Sequence, residues 1–141
     1  NGPPRFTDVG SIEGPPGPGT GASMRTREAR APSGRMTSHP PRIAGFLPAS
    51  AIQRVVERHS SGLRHCYERA LIGDSSLGGR ISANWTIDLD GCVEAVSITE
   101  NGVSSEVGRC MAQEIRRMRF DQPDGGLVVV TYPFTFRAAD A

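Results

Sequence analysis

The clearest pattern of the chain lies near its C-terminal end, from Leu127 to Phe136, where every second residue is large and apolar. The recurring apolar residues are Val128, Val130, Tyr132, Phe134 and Phe136. A period of two predicts a β-strand with one buried face, and β-branched and aromatic residues favour strands. Pro133 lies inside this stretch. Because proline cannot donate a hydrogen bond to a neighbouring strand, it indicates a strand at the edge of a sheet.

The backbone groups of this edge strand have a predictable direction. If the apolar residues face the core and pair inward, the alternate residues point their backbone groups out of the sheet. These alternate residues are Val129, Thr131, Pro133 and Thr135. An unpaired edge is a place where another chain can add a strand. The pattern therefore predicts a partner-binding edge formed by these four residues.

Two earlier stretches have the spacing of apolar residues that is typical of amphipathic helices. The first runs from about Pro48 to Ile72, and Gly62 is a weak point where the helix could be interrupted. The second begins at Ser104 or Ser105. Positive side chains favour the C-terminal end of a helix, and three arginines crowd the last turn of the second one: Arg116, Arg117 and Arg119.

A β-hairpin is predicted between the two helices. Apolar and polar residues alternate over residues 80–88, a turn follows at residues 90–91, and a second strand returns over residues 93–99. The alternation of the returning strand slips by one residue, and a bulge near Glu94 or Ala95 would restore it.

The predicted elements follow the order α-β-β-α-β, which indicates an α+β domain with a three-stranded antiparallel sheet. The last strand should lie beside the first, giving the strand order 2-1-3, with the two helices on one face. We expect this domain to cover residues 48–137, with a disordered tail at residues 138–141.

The N-terminal part has the composition of a linker. Nine of the eleven prolines lie within the first 48 residues, and apolar residues are too scattered there to stabilise a fold. We therefore expect residues 1–47 to be a disordered Pro/Gly/Arg-rich tether. Residues 49–141 contain ten arginines and twelve acidic residues. A slightly acidic domain is not typical of nucleic-acid binding.

No arrangement in the sequence indicates catalysis, a cofactor or a metal site. His59 and His65 are six residues apart on a predicted helix, so they lie on different faces. Cys66 follows His65 directly, and adjacent helical residues point apart, so the two do not form a nucleophile and its base. The predicted domain is therefore not an enzyme.

Three cysteines lie in the predicted domain. Cys66 and Cys110 lie on the apolar faces of the two helices, where they are either a disulfide or two buried thiols. A disulfide closing roughly 45 residues would contribute about 4 kcal/mol and would indicate an oxidising compartment. Cys92 lies in the hairpin turn, as an incidental thiol or a site of pairing between chains.

Several segments together resemble the AgmX/PglI C-terminal domain family, which is TonB-C-terminal-like and typical of delta-proteobacterial envelope and gliding-motility proteins. The matching segments are LRHCYERAL (Leu63–Leu71), GGRISANWTIDLDGCVEAVSI (Gly78–Ile98), VGRCMAQEIRRMRF (Val107–Phe120) and TYPFTF (Thr131–Phe136). They cover most of residues 49–137 in the family's order. The family usually has an aromatic residue at Met118 and a proline near Asp121. These departures touch none of the predicted site residues.

The resemblance implies a non-enzymatic periplasmic domain at the far end of a chain rooted in the inner membrane. Its partner would be a protein of the outer membrane or envelope, bound by strand addition in gliding motility, transport or energy transduction. The membrane anchor would lie upstream of this sequence. The family also has cysteines at both helix positions, so the resemblance implies a Cys66–Cys110 disulfide. The alternative function is a structural module that forms a homodimer through the same edge.

Overall fold

A computed structural model describes residues 32–139 of the 141-residue chain. The N-terminal 31 residues of the predicted linker, and Asp140 and Ala141 of the predicted tail, lie outside the described residues. The helices and strands between residues 32 and 139 are β1 (Gly34–Ser38), β2 (Arg42–Ala44), α1 (Ala49–Arg58), α2 (Ser60–Gly73), β3 (Gly79–Ile87), β4 (Val93–Asn101), α3 (Ser105–Arg116) and β5 (Val128–Ala138).

The five strands of residues 32–139 form one antiparallel sheet. β4 pairs with β3, β3 pairs with β5, and β1 and β2 both pair with the other side of β5. The three strands predicted from the sequence thus lie in the order β4-β3-β5. The prediction of a three-stranded sheet is wrong, because the sheet has five strands. The α+β class is confirmed.

The two additional strands come from the segment that was expected to be disordered. Residues 34–44 run antiparallel to β5 and contribute five residues to β1 and three to β2. Met36 and Ile43 are half-buried and pack against the core. The predicted linker therefore extends too far at its C-terminal end, because pairing with β5 orders these residues. Similarly, β5 continues to Ala138, one residue into the predicted tail.

The predicted first helix is two helices, α1 and α2, that meet at His59. The backbone of His59 has φ −100° and ψ 7°, outside the helical region. Its ring Nδ1 lies 2.7 Å from Glu114 Oε2 on α3. Gly62, the predicted weak point of this helix, is helical and lets α3 approach, since a Cβ there would lie 2.7 Å from the Glu114 carboxyl carbon.

The core lies between the three helices and one face of the sheet. The five alternating apolar residues of β5 are all at most 2% exposed, as the period of two predicts. Trp85 in β3 is fully buried, and its ring stacks against Phe120 and Tyr132 with 6.1 Å between ring centroids in each case. The other face of the sheet is mostly polar and has no helix over it among residues 32–139.

The predicted bulge in the returning strand is present in β4. The pairing of β3 with β4 shifts between Trp85 and Thr86, and Ala95 on the opposite strand has φ +53°. A second shift lies between Ser82 and Ala83. Between these two irregularities, the pairing of β3 with β4 is regular.

Both tyrosines of the chain are expected to resist ionisation in the folded protein. Burial raises the pKa of Tyr67, whose hydroxyl donates to the Leu77 carbonyl oxygen at 2.7 Å. Burial also raises the pKa of Tyr132, and a hydrogen bond with Ser38 lowers that pKa by a smaller amount. The folded state therefore binds more protons than the unfolded state once the pH passes about 10, the usual tyrosine pKa. This contribution to stability is complete below that pH and is lost as the pH rises through the raised values.

An alkaline titration followed by tyrosinate absorbance and far-ultraviolet circular dichroism tests this expectation. Tyrosinate should form above the usual tyrosine range and together with the loss of secondary structure. Ionisation of both tyrosines at their usual pKa, with secondary structure intact, would contradict it.

Candidate strand-binding edge

The four residues predicted to bind a partner strand lie along the outer side of β5, and this side already carries a strand. Val129 lies opposite Ala44, Thr131 opposite Arg42, and Thr135 opposite Thr37. Pro133 lies opposite the interval between β1 and β2. The expectation of an open edge is therefore incorrect for this structure, because residues 34–44 of the same chain occupy it.

The backbone groups of this edge point outward from β3. The Pro133 carbonyl accepts a hydrogen bond from the His39 amide at 3.0 Å, on the side away from β3. Because the direction of backbone groups alternates along a strand, the groups of Thr131 and Thr135 point the same way. Pro133 has no N–H to offer on this side, so it contributes only its carbonyl to the pairing with His39.

The pairing between β5 and the segment of residues 34–44 is interrupted in the middle. Pro40 and Pro41 separate β1 from β2 and have no N–H groups, and Pro133, which pairs with His39 just before them, has none either. On the polar face of the sheet, this interruption contributes to a groove of about 400 Å³ that also reaches Arg42, Arg80 and Thr131. The two runs of pairing are consequently short and separate.

The segment is held near its middle by His39, whose ring Nε2 lies 2.8 Å from Thr135 Oγ1, and at its N-terminal end by contacts of Ser33 and Gly34. The Gly34 amide donates to Glu68 Oε2 at 2.8 Å, and Ser33 accepts from the Ala139 amide at 3.0 Å. Gly34 packs so closely on Tyr67 that a Cβ there would lie 2.5 Å from the ring. Beyond this contact, no side chain of β1 or β2 is fully buried. The edge of β5 is thus filled by a strand with little buried apolar surface of its own.

The predicted disulfide is present and joins α2 to α3. Cys66 and Cys110 are bonded, with their Cα atoms 5.6 Å apart, inside the usual range. Cys92 is a half-buried free thiol. The backbone of Cys92 pairs with that of Arg119 in a single antiparallel β-bridge. That the thiol is incidental stays a prediction.

One of the two histidines considered for a metal site, His59, makes a contact of a different kind. His59 is paired with Glu114, which also accepts from Arg117 Nη1 at 3.2 Å. Between residues 32 and 139, no three His, Cys, Asp or Glu side chains are grouped to hold a metal ion. Over the same residues, no helix has the length and hydropathy needed to cross a membrane.

Comparisons with known proteins give partial similarities. No family model matches the chain. Over 86 residues, 61% of this chain, it is 34% identical to the tyrosine-protein kinase MasK of Myxococcus xanthus, and the match spans 13% of the length of that protein. The solution structure of the Pseudomonas aeruginosa TonB C-terminal domain is similar with a TM-score of 0.41 and 24% identity, over 50% of this chain and 75% of that one.

Proposed function

We propose that this domain is a non-enzymatic protein-binding module that accepts an extended segment of a partner along β5, in exchange for its own residues 34–44. The observation that carries the proposal is the occupied edge. β5 already binds an extended segment from outside the predicted domain, in two short runs separated by prolines. An edge that accepts this segment has the backbone geometry to accept another of similar form.

A partner strand can improve on the resident segment in two ways. A segment without prolines at this point would supply the two N–H groups that Pro40 and Pro41 lack and would allow one continuous run of pairing with β5. Apolar residues at the positions of Met36 and Ile43 would lie against the core side of β5, where these two side chains are only half-buried. The expected partner segment is therefore extended, free of proline at its centre, and apolar at alternate positions.

We place this module in the periplasm, within a protein tethered to the inner membrane, and expect its partner in the outer membrane or envelope. The Cys66–Cys110 disulfide supports an oxidising compartment. The resemblance to the AgmX/PglI C-terminal domains supports an envelope process such as gliding motility, transport or energy transduction.

A second candidate function is self-association by exchange of the same segment. Only residues 45–48 connect β2 to α1, and a short connection of this kind can be the hinge of a strand swap. Two copies would then each place residues 34–44 on the β5 of the other.

Two variants of the intact oxidised chain, used as bait in an envelope extract, test the edge in opposite directions. Thr37→Cys/Thr135→Cys joins directly opposite residues on the polar face, away from the helices that hold the native disulfide. Met36→Asp places a charge against the core and should release the segment. Apparent affinity scales with the fraction of molecules whose edge is free. If the substitution weakens the pairing of residues 34–44 with β5 by about 1.4 kcal/mol, partner affinity should rise about tenfold. The disulfide lock should abolish binding.

The matched control for the lock is Thr37→Ser/Thr135→Ser, and every bait carries Cys92→Ser so that the engineered pair has no competing thiol. A partner that binds equally to the locked, released and control baits would exclude binding at β5. A concentration-dependent dimer in sedimentation velocity, lost in the locked variant, would support self-association instead.

A further inference from the structure

The opposite edge of the sheet, formed by β4, pairs with no further strand among residues 32–139. The Pro133 carbonyl points away from β3, so Ser82, which lies opposite Pro133, points its own backbone groups away from β5 and at β4. Every second residue of β3 from Ser82 onward points its backbone groups the same way. Asn84 belongs to this set and lies opposite Ser97. Val96 and Ile98, on either side of Ser97, therefore point their N–H and C=O groups away from the sheet.

A shallow groove of about 250 Å³ runs beside this edge, between β4 and α3, with an apolar part at Val96 and Ile98 and polar residues, Asn101, Ser105 and Arg109, around it. Val96 and Ile98 are half-buried on the side that faces the helices. On α3, Gly108 and Ala112 line the groove, and a Cβ at Gly108 would lie 2.7 Å from the Asn101 amide nitrogen and 3.6 Å from Ile98. A residue of an added strand that lay opposite Val96 or Ile98 would project its side chain into this groove, because opposite residues share a face.

We propose that the β4 edge and this groove form a second docking surface, which binds an extended segment of another protein. That segment pairs its backbone with Val96 and Ile98 and places an apolar side chain between β4 and α3. On the polar face of the sheet, the exposed Glu94 and Glu100 flank the paired region, so basic residues of the partner are favoured there. Glu100 also lies 3.2 Å from Arg80, but both side chains are exposed, and an ion pair of this kind is weak, so both carboxylates contribute to the negative charge of this edge.

The same charges disfavour a second copy of this chain as the occupant. An antiparallel pairing of two β4 strands that uses both Val96 and Ile98 brings Glu94 of each copy beside Glu100 of the other. Like charges on directly opposed positions are destabilising. A foreign segment with basic residues avoids this repulsion.

The experiment is a selection of short random peptides displayed on phage against the intact oxidised chain. Enriched peptides are then synthesised, and their binding sites are mapped from amide chemical shifts of the labelled protein. We expect peptides with alternating apolar residues and basic flanks, which perturb Val96, Ile98, Gly108 and Ala112. Ile98→Pro removes one outward N–H without breaking the pairing to β3, and Ile98→Ala is the matched control, since both lose the same half-buried side chain. Proline should weaken binding about tenfold more than alanine, the effect of about 1.4 kcal/mol.

The Thr37→Cys/Thr135→Cys lock blocks β5 and leaves β4 unchanged, so binding to the locked chain distinguishes the β4 surface from the β5 edge. Peptides that bind the locked chain normally and lose affinity in Ile98→Pro support the β4 surface. Equal binding to the proline and alanine variants, shifts confined to β1 and β5, or a selection that enriches no peptide would overturn it. A dimer that forms in the native chain and is lost in Ile98→Pro would overturn the foreign occupant in favour of a second copy.

Discussion

Replacing both bonded cysteines, in the variant Cys66→Ala/Cys110→Ala, is expected to lower the free energy of unfolding by about 4 kcal/mol. The bond joins residues 44 positions apart, and closing a loop of that length removes much of the conformational freedom of the unfolded chain. The described domain has about a hundred residues, a size at which single cores give modest stability. The midpoint of thermal unfolding should therefore fall by roughly 15–30 °C.

Urea unfolding of the native and variant proteins, followed by circular dichroism, measures this effect. Alanine is chosen because Cys66 is only 5% exposed, and a buried serine hydroxyl would add a separate cost. The control is Cys92→Ala, which removes the free thiol and keeps the bond. If the double variant loses less than about 1 kcal/mol, or no more than the control, the bond does not stabilise the fold through loop closure.

Truncation of the buried tryptophan, Trp85→Ala, is expected to cost about 3–5 kcal/mol. Trp85 is fully buried and lies in stacking contact with Phe120 and Tyr132, so it connects β3, β5 and the segment after α3. Its removal would leave a cavity that these rings cannot close without moving. Because the chain has one tryptophan, unfolding must be followed by circular dichroism and not by tryptophan fluorescence.

The informative comparison is Trp85→Phe. Among the described residues, the indole Nε1 is buried and has no hydrogen-bond partner, and a buried donor without a partner is unfavourable. Phenylalanine keeps the aromatic contacts and removes this donor, so it should cost much less than alanine. Equal losses for the two variants would show that the stacking contacts contribute little to stability.

The elements that bury an amphipathic face were predictable from the sequence. The period of two in β5 and the slipped alternation of β4 correspond to a buried strand face and to the bulge at Ala95. Ser104, one of the two expected helix starts, is the N-cap of α3, and its hydroxyl accepts from the Val107 amide at 3.1 Å. In these cases the local pattern and the tertiary structure agree.

The strands that fill the edge were not predictable in this way. β1 and β2 each contain one half-buried apolar residue, Met36 or Ile43, and two prolines lie between them. Such a segment has no recognisable period, and pairing with β5, about a hundred positions away in the chain, defines it as strand. A sequence pattern indicates which way the backbone groups of β5 point, but it does not identify a distant segment that pairs with them.

The position of the helix break depends in the same way on a distant residue. Glycine has the lowest helix propensity of any residue other than proline, which favoured Gly62 as the point of interruption. The break lies at His59, where the imidazole contacts Glu114 of α3. At Gly62 the absence of a side chain instead makes room for the same glutamate.

The disulfide also determines which parts of the chain belong to a closed covalent ring. That ring runs from Cys66 through β3 and β4 to Cys110, and it excludes β1, β2, α1 and β5. Two molecules could therefore trade residues 34–44 with both rings intact and without any thiol chemistry. A swapped dimer would be held by noncovalent contacts alone, and it would migrate as a monomer on a denaturing gel whether or not a reductant was present.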